Sequence, residues 1–307
     1  MSSVLPLGPG LHVLERGWLS SNNVLLDGDD GATLIDSGHC VHAEQTVALL
    51  RQRLGGTPLR HVINTHLHSD HCGGNAALQR EWPLDVRVPR GSVEAVRDWD
   101  QKALSHWATR QRCERFSAQG QIEVGQVLSI GERDWQVLAA PGHDPQSVIL
   151  FDARHGVLIS ADALWENGFG VVFPELDGAA AFDDVAHVLD LIEALPVRCV
   201  IPGHGAPFTD VGAALQRARS RLAGFRASPA RHFRHGAKVF LKFHLMEERR
   251  QSLPALRDWL RDTPMMQTIW AGLGRPDGGF AAWADRLLQE LLDSGVLGLH
   301  GEVVHDR

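Results

Sequence analysis

Residues 62–75 read Val-Ile-Asn-Thr-His-Leu-His-Ser-Asp-His-Cys-Gly-Gly-Asn, and no other stretch of the chain constrains its fold as tightly. An apolar run feeds a loop carrying three histidines and a carboxylate, and Gly73-Gly74 opens a helix. His66 and His68 stand two apart, so in extended backbone their imidazoles project to one side and can grip one cation. Asp70 and His71 follow once the chain turns, and can reach a second cation close by. Neutral imidazole nitrogens with a carboxylate oxygen suit Zn²⁺. A single histidine is most often an ordinary core or surface residue. Four candidate ligands in six positions at a strand end are a different matter.

Three later residues join this set, each at the end of an expected strand. His143 lies in Ala140-Pro141-Gly142-His143-Asp144, Asp162 follows Ser160-Ala161, and His204 lies in Ile201-Pro202-Gly203-His204-Gly205. Glycine beside each histidine allows a tight turn that pushes the imidazole into a cleft. Strands are expected at 23–26, 32–35, 62–64, 85–88, 126–130, 135–139, 147–151, 157–160 and 198–201. Several are apolar at consecutive positions, as strands buried on both faces are. Helical periodicity marks 43–54, 92–115 and 183–195, where Val185, Val188, Leu189 and Ile192 form one stripe behind the cap Asp183. In the long stretch 92–115, Trp99, Leu104 and Trp107 read either as a cleft cover or as plain core packing. Two sheets with helices outside fit this order of elements.

After Phe208 the pattern changes. A basic helix at 211–226 is followed by helical patterns at 237–248, 253–261 and 281–294, and by a hairpin at 296–304. Three helices and a two-stranded wing resemble a winged-helix module. The expected division is therefore a catalytic domain, residues 1–209, and a winged-helix-like C-terminal domain, residues 210–307. Charge divides the same way. Residues 1–209 carry 15 Lys+Arg against 26 Asp+Glu, residues 210–307 carry 15 against 11, and the net −7 splits into −11 and +4.

The run His66-x-His68-x-Asp70-His71, followed by His143, Asp162 and His204, resembles the metallo-β-lactamase superfamily, with its glyoxalase II, lactonase and ribonuclease branches nearest. The resemblance implies an α/β fold, the αββα sandwich. It assigns His66, His68 and His143 to a first zinc, Asp70, His71 and His204 to a second, and Asp162 to both. Asp36, in Leu34-Ile35-Asp36-Ser37-Gly38, matches a position that orients the ligating histidines from behind. Three departures shape the expected substrate. Asp162 stands where β-lactamases of the best-known subclass place cysteine. Asp144-Pro145-Gln146 replaces the usual Thr-Pro-Gly after His143. Tyrosine, which lactonases and glyoxalase II use near substrate, is absent from the chain.

The resemblance thus implies a hydrolase in which two Zn²⁺, with iron or manganese as substitutes, hold a bridging hydroxide that attacks a small ester or thioester, acyl-thioesters above all. Asp70 ligates and also shuttles the proton. Trp165, Glu166, Asn167 and Phe169 are candidates for the substrate wall. Two alternatives share the core. One is a metal-dependent ribonuclease using the basic, acid-free run that holds Arg217, Arg219, Arg221, Arg226, Arg231, Arg234, Lys238 and Lys242. The other is a persulfide dioxygenase with a single iron. A non-catalytic binding module fits poorly with seven retained ligands. No apolar run is long enough to cross a membrane, and Met1-Ser2-Ser3-Val4-Leu5-Pro6 lacks the features of a signal peptide, so a cytoplasmic protein is expected, with homo-oligomerisation left open. Cys40, Cys72, Cys113 and Cys199 show no CxxC pairing and read as reduced thiols, with Cys72 a small residue opening a helix.

Overall fold

The computed structural model describes residues 7–307, so the stretch Met1–Pro6 lies outside the described residues. The first sheet has six strands in chain order: β1 (Leu11–Leu14), β2 (Asn23–Leu26), β3 (Ala32–Ile35), β4 (Leu59–Ile63), β5 (Asp85–Pro89) and β6 (Gly120–Ile122). It begins as an antiparallel meander and turns parallel from β3 to β6. The parallel part needs crossovers. These are α1 (Ala43–Leu54), then the short α2 (Ser69–Cys72) with α3 (Asn75–Glu81), then α4 (Val93–Asp98) and α5 (His106–Thr109). The second sheet runs β11-β10-β9-β8-β7, built from β7 (Val127–Ile130), β8 (Arg133–Ala139), β9 (Val148–Asp152), β10 (Val157–Ala161) and β11 (Cys199–Pro202). The short α6 (Phe173–Leu176) and the longer α7 (Phe182–Ala194) connect its last two strands, which pair parallel.

Every residue of β2, β3, β9, β10 and β11 is buried, which explains their unbroken apolar runs. Between the sheets lies one core containing Leu26, Ile35, Ile63, Trp135, Val137, Leu150, Ile159 and Ile201. Outside the first sheet, Leu50 of α1 and Leu78 of α3 close a second core. Outside the second sheet, Val185, Leu189 and Ile192 of α7 close a third. The mixed α/β architecture expected from the sequence is therefore present.

Two expectations need correction. The stretch 92–115 is not one helix. Trp99, Ser105 and Arg110 sit at φ of 54°, 64° and 53°, left-handed conformations that stop a helix. The Asp100 carboxylate accepts the backbone N–H groups of Lys102 and Ala103, turning the chain where helix periodicity alone would continue it. Trp99 and Leu104 then pack in the core against Phe116 and its neighbours, while Trp107 stays half exposed. The edge strands β1 and β6 were also not anticipated, being short and only partly apolar.

Beyond β11 come α8 (Val211–Ala227), α9 (Pro229–Glu248), β12 (Arg250–Ser252), α10 (Leu253–Asp262), α11 (Pro264–Gly272), α12 (Gly279–Asp293) and the hairpin β13 (Leu297–His300) with β14 (Val303–Asp306). The last three strands form a sheet ordered β12-β14-β13. Ala214, Leu215, Ala218, Leu222 and Phe225 of α8 belong to the core over α7. A fourth core joins α9, α10, α11 and α12 to Val171 and Leu176, so the C-terminal helices are welded to the first 209 residues.

Candidate metal centre

Four strand ends deliver the candidate ligands to one mouth. His66, His68, Asp70 and His71 follow β4, His143 follows β8, Asp162 follows β10 and His204 follows β11. They form two adjacent groups. Ligand atoms of His66, His68 and His143 lie within 4.8 Å of one another, as do those of Asp70, His71, Asp162 and His204. The Asp162 carboxylate faces both. Its Oδ2 is 3.3 Å from His143 Nε2, and its Oδ1 is 3.3 Å from His71 Nε2 and 3.8 Å from His204 Nε2. His68 Nδ1 and His143 Nε2 point at each other across 2.7 Å, and Asp70 Oδ2 is 3.0 Å from His204 Nε2.

All seven side chains are buried, yet His66 Nε2 and His71 Nε2 have no hydrogen-bond partner among the described residues. Buried imidazole nitrogens left unpaired are costly, and several aimed at one point call for a cation. Five imidazoles and two carboxylates make an N/O donor set that fits Zn²⁺ and its first-row neighbours. The far sides of the rings are held in place. His71 Nδ1 lies 2.7 Å from Asp36 Oδ2, and Asp36 also accepts the Thr65 N–H and hydroxyl at 2.8 Å each. His143 Nδ1 donates to the Val171 carbonyl at 2.6 Å. Such partners fix the tautomer and aim the other nitrogen.

Electrostatics sort the groups. Burial, reinforced by neighbouring histidines, holds His66 and His68 well below the usual imidazole pKa, so both stay neutral and able to ligate. Burial also pushes His71 down, but the carboxylates of Asp36, Asp162 and Asp70 together outweigh it and hold His71 well above its usual value. Burial pushes Asp70 up, yet His71 and His204 bring it to about 2. Asp162 is held well below the usual carboxylate range in the same way. The cluster thus keeps two permanent negative charges, a fitting bed for dications.

Backbone geometry allows this crowding. Gly142 precedes His143 at φ 132°, and a Cβ there would meet Val185 Cγ2 at 2.6 Å. Gly203 passes so close to the cluster that a Cβ would lie 2.2 Å from Asp162 Oδ1. Asp36 and Ala161 adopt φ of 56° and 45°, strain of the kind found where a site over-determines its backbone.

A cavity of about 520 Å³ opens onto His68, Asp70, His143, Asp162 and His204. Trp165, Glu166 and Asn167 line it, and Trp165 Nε1 donates to Asp162 Oδ1 at 3.2 Å. Phe169 does not line it. It is buried in the core against Phe225, because the Trp165–Gly168 bridge turns it inward. Trp18 stacks on His204 with ring centroids 5.5 Å apart, and Phe173 lies 4.3 Å from His68. Helix α9 also lines it, through Val239, Phe240, Phe243 and Met246 together with His235, Lys238 and Lys242. The 3–4-residue spacing of those apolar residues was the available signal for that lining, hidden within a helix otherwise read as basic. Sequence reading also missed Asp144, whose Oδ2 lies 3.9 Å from His68 Nε2 and whose pKa burial raises.

Half of the eight cations in the basic run are ion-paired. Arg219 pairs with Asp190 and Glu193, Arg226 with Asp183, Lys238 with Glu290 and Lys242 with Asp306. Arg217 and Arg221 bond the carbonyls of Glu166 and Phe169. No helix among the described residues is long and apolar enough to cross a membrane.

Comparison with known proteins agrees with the geometry. The sequence profile of the Metallo-beta-lactamase superfamily matches residues 16–204. An acyl-coenzyme A thioesterase MBLAC2 from Gallus gallus is 24% identical over 223 residues, spanning 65% of this chain and 79% of that protein. A hydroxyacylglutathione hydrolase from Xanthomonas euvesicatoria is 30% identical over 225 residues, spanning 73% and 76%. A crystal structure of a beta-lactamase domain protein from Burkholderia ambifaria superposes with a TM-score of 0.60 at 21% identity, covering 100% of this chain and 97% of that one. The chain belongs to the metallo-β-lactamase superfamily and is a metal-dependent hydrolase.

Proposed function

We propose that the chain hydrolyses acyl thioesters, with two zinc ions held by His66, His68 and His143 on one side and by Asp70, His71 and His204 on the other, and Asp162 shared between them. The observation that carries the reading is the cavity. It is lined by the ligand cluster and, from α9, by Val239, Phe240, Phe243 and Met246 beside His235, Lys238 and Lys242. An acyl chain laid against Val239, Phe243 and Met246 brings its carbonyl to the cluster, while a polar thiol carrier stays at the mouth. The relatives named for acyl-coenzyme A and hydroxyacylglutathione support the same bond type.

Bound there, two dications supply Lewis acidity and a water molecule acidic enough to attack near neutral pH. Asp70 remains charged, and its Oδ1, which has no hydrogen-bond partner among the described residues, would orient the attacking water and pass its proton on. A thiolate leaves without needing a proton at neutral pH, which suits a site with no separate general acid. Trp18 and Trp165 hem in His204 and limit water on that side.

We read residues 1–209 as the catalytic domain and 210–307 as a winged-helix-like domain turned to substrate enclosure, in a cytoplasmic protein whose four cysteines form no disulfide. The ion pairs that absorb Arg219, Arg226, Lys238 and Lys242 disfavour the ribonuclease alternative. A one-iron dioxygenase leaves the second ligand group without a task. The test is turnover of acyl-thioesters of increasing chain length beside a lactone, a phosphodiester and a penicillin, with metal content measured and a chelator control. Chelator-sensitive thioester cleavage is expected. Chelator-sensitive cleavage of only the phosphodiester overturns the reading.

A further inference from the structure

Away from the seven-residue cluster, three more metal-ligating side chains converge. Cys72 ends α2, His106 begins α5, and Cys113 lies in the loop after α5. Their two sulfurs and one imidazole nitrogen nevertheless lie within 4.8 Å of one another. Cys72 Sγ and Cys113 Sγ are 3.8 Å apart. A tetrahedral zinc with Zn–S bonds of about 2.3 Å sets two thiolates about 3.8 Å apart. A disulfide needs about 2.05 Å.

The imidazole supplies an independent observation. His106 is 4% exposed, and its Nδ1 is buried with no hydrogen-bond partner among the described residues. Its Nε2 lies 3.0 Å from the Leu67 carbonyl oxygen. An N–H donated to a backbone carbonyl places the proton on Nε2 and leaves Nδ1 with a free lone pair, the arrangement ligating histidines adopt. Cys72 is fully buried, whereas Cys113 is only partly so, which leaves solvent room for a fourth ligand. Each of the three nearby thiols contacts a carbonyl, Cys40 that of Arg112 at 3.2 Å, Cys72 that of Leu67 at 3.4 Å and Cys113 that of Glu114 at 3.7 Å, but Cys40 stands outside the group formed with His106.

We propose that Cys72 Sγ, Cys113 Sγ and His106 Nδ1 form a third metal site, which takes a single zinc ion with water as its fourth ligand. Its role is mechanical. Leu67 stands between His66 and His68, and Cys72 follows His71, so the ion ties the ligand-bearing loop to the irregular segment 99–117. The same segment places Gln111 at the cavity, where its Oε1 accepts the Ser69 hydroxyl at 2.9 Å. A soft S₂N donor set also separates this site chemically from the all-N/O cluster beside it.

That difference provides the test, because none of the seven clustered residues offers sulfur. Metal-free full-length protein is titrated with Co²⁺ while thiolate-to-cobalt charge-transfer absorption is followed in the near ultraviolet. The band is expected to be complete by three equivalents of Co²⁺, two of them taken by the N/O cluster, to vanish in Cys113→Ser, and to need at least about tenfold more Co²⁺ in His106→Gln. Both variants change the irregular segment and spare the buried Cys72, and circular dichroism checks that they fold. If either fails to fold, protection of Cys72 and Cys113 from alkylation by three equivalents of Zn²⁺ in the unaltered protein replaces it as the readout. Absence of a band at saturating Co²⁺ overturns the proposal. So does an unaltered band in both variants, or no zinc protection of the two thiols, or a Cys72–Cys113 disulfide in protein purified under reducing conditions.

Discussion

Asp162 touches more of the buried histidines than any other carboxylate, reaching His71, His143 and His204 within 3.8 Å. Its replacement by Ala removes the one anion common to both ligand groups. Loss of at least one metal equivalent and a fall in kcat of about 100-fold or more are expected, read by elemental analysis and turnover. Asp36 acts one step back, through His71 and Thr65. Asp36→Asn keeps the shape but exchanges an acceptor for a donor at His71 Nδ1. Metal affinity should drop about 10–100-fold with KM little changed once metal is saturating, measured by competition with a coloured chelator. At this scale the sequence was most legible where ligands crowd together in a few positions or stand beside glycine. Asp144 behind His68 was not legible, because a burial-dependent partner leaves no spacing pattern. Cys72 and Cys113 were not legible either, since only the fold closes their sequence separation of 41.

Helix α9 illustrates how one element can carry two messages. Its cations read as a polyanion face, but Lys238 and Lys242 are spent on Glu290 and Asp306. Its Val239, Phe240, Phe243 and Met246 line the cavity beside the stems of those two lysines. Met246→Asp should therefore raise KM for a long-chain acyl-thioester by about tenfold or more, while an acetyl thioester changes little. Each CH₂ denied an apolar wall forfeits roughly 0.8 kcal/mol. An equal effect on both substrates would place the acyl chain elsewhere. Fully buried strands such as β9 and β10 announced themselves through apolar runs, and α1 was bounded to the residue, Gly55 ending it at φ 57°. The 92–115 stretch misled because periodicity reports which side is buried, not whether Asp100 and three left-handed residues interrupt the helix.

The whole molecule has a pH dependence written into the junction of α9 with the loop before α6. His232 Nε2 accepts the Val172 N–H at 3.1 Å, and burial, with help from His235, lowers its pKa to about 4. Burial lowers His235 to about 4 as well, assisted by Arg221 and Lys238. Both pKa values are depressed from 6.5, so the unfolded chain binds more protons within that window. Their contribution is complete above pH 6.5 and lost as pH falls towards 4, at up to about 1.4 kcal/mol per pH unit for each. Denaturant unfolding at steps between pH 7.5 and 4.5 should show the slope, and His232→Gln should flatten it.

The cavity divides its labour between chain segments that are far apart. The ligand side chains stand on strand ends fixed by three cores, whereas much of the apolar lining of the cavity comes from a single helix that begins at Pro229. Inheritance can act on these separately. Changes at the cavity-facing positions of α9 would retune which substrates a lineage accepts while the ligand set stays untouched, although the helix's other side is bound into a core shared with Val171 and Leu176.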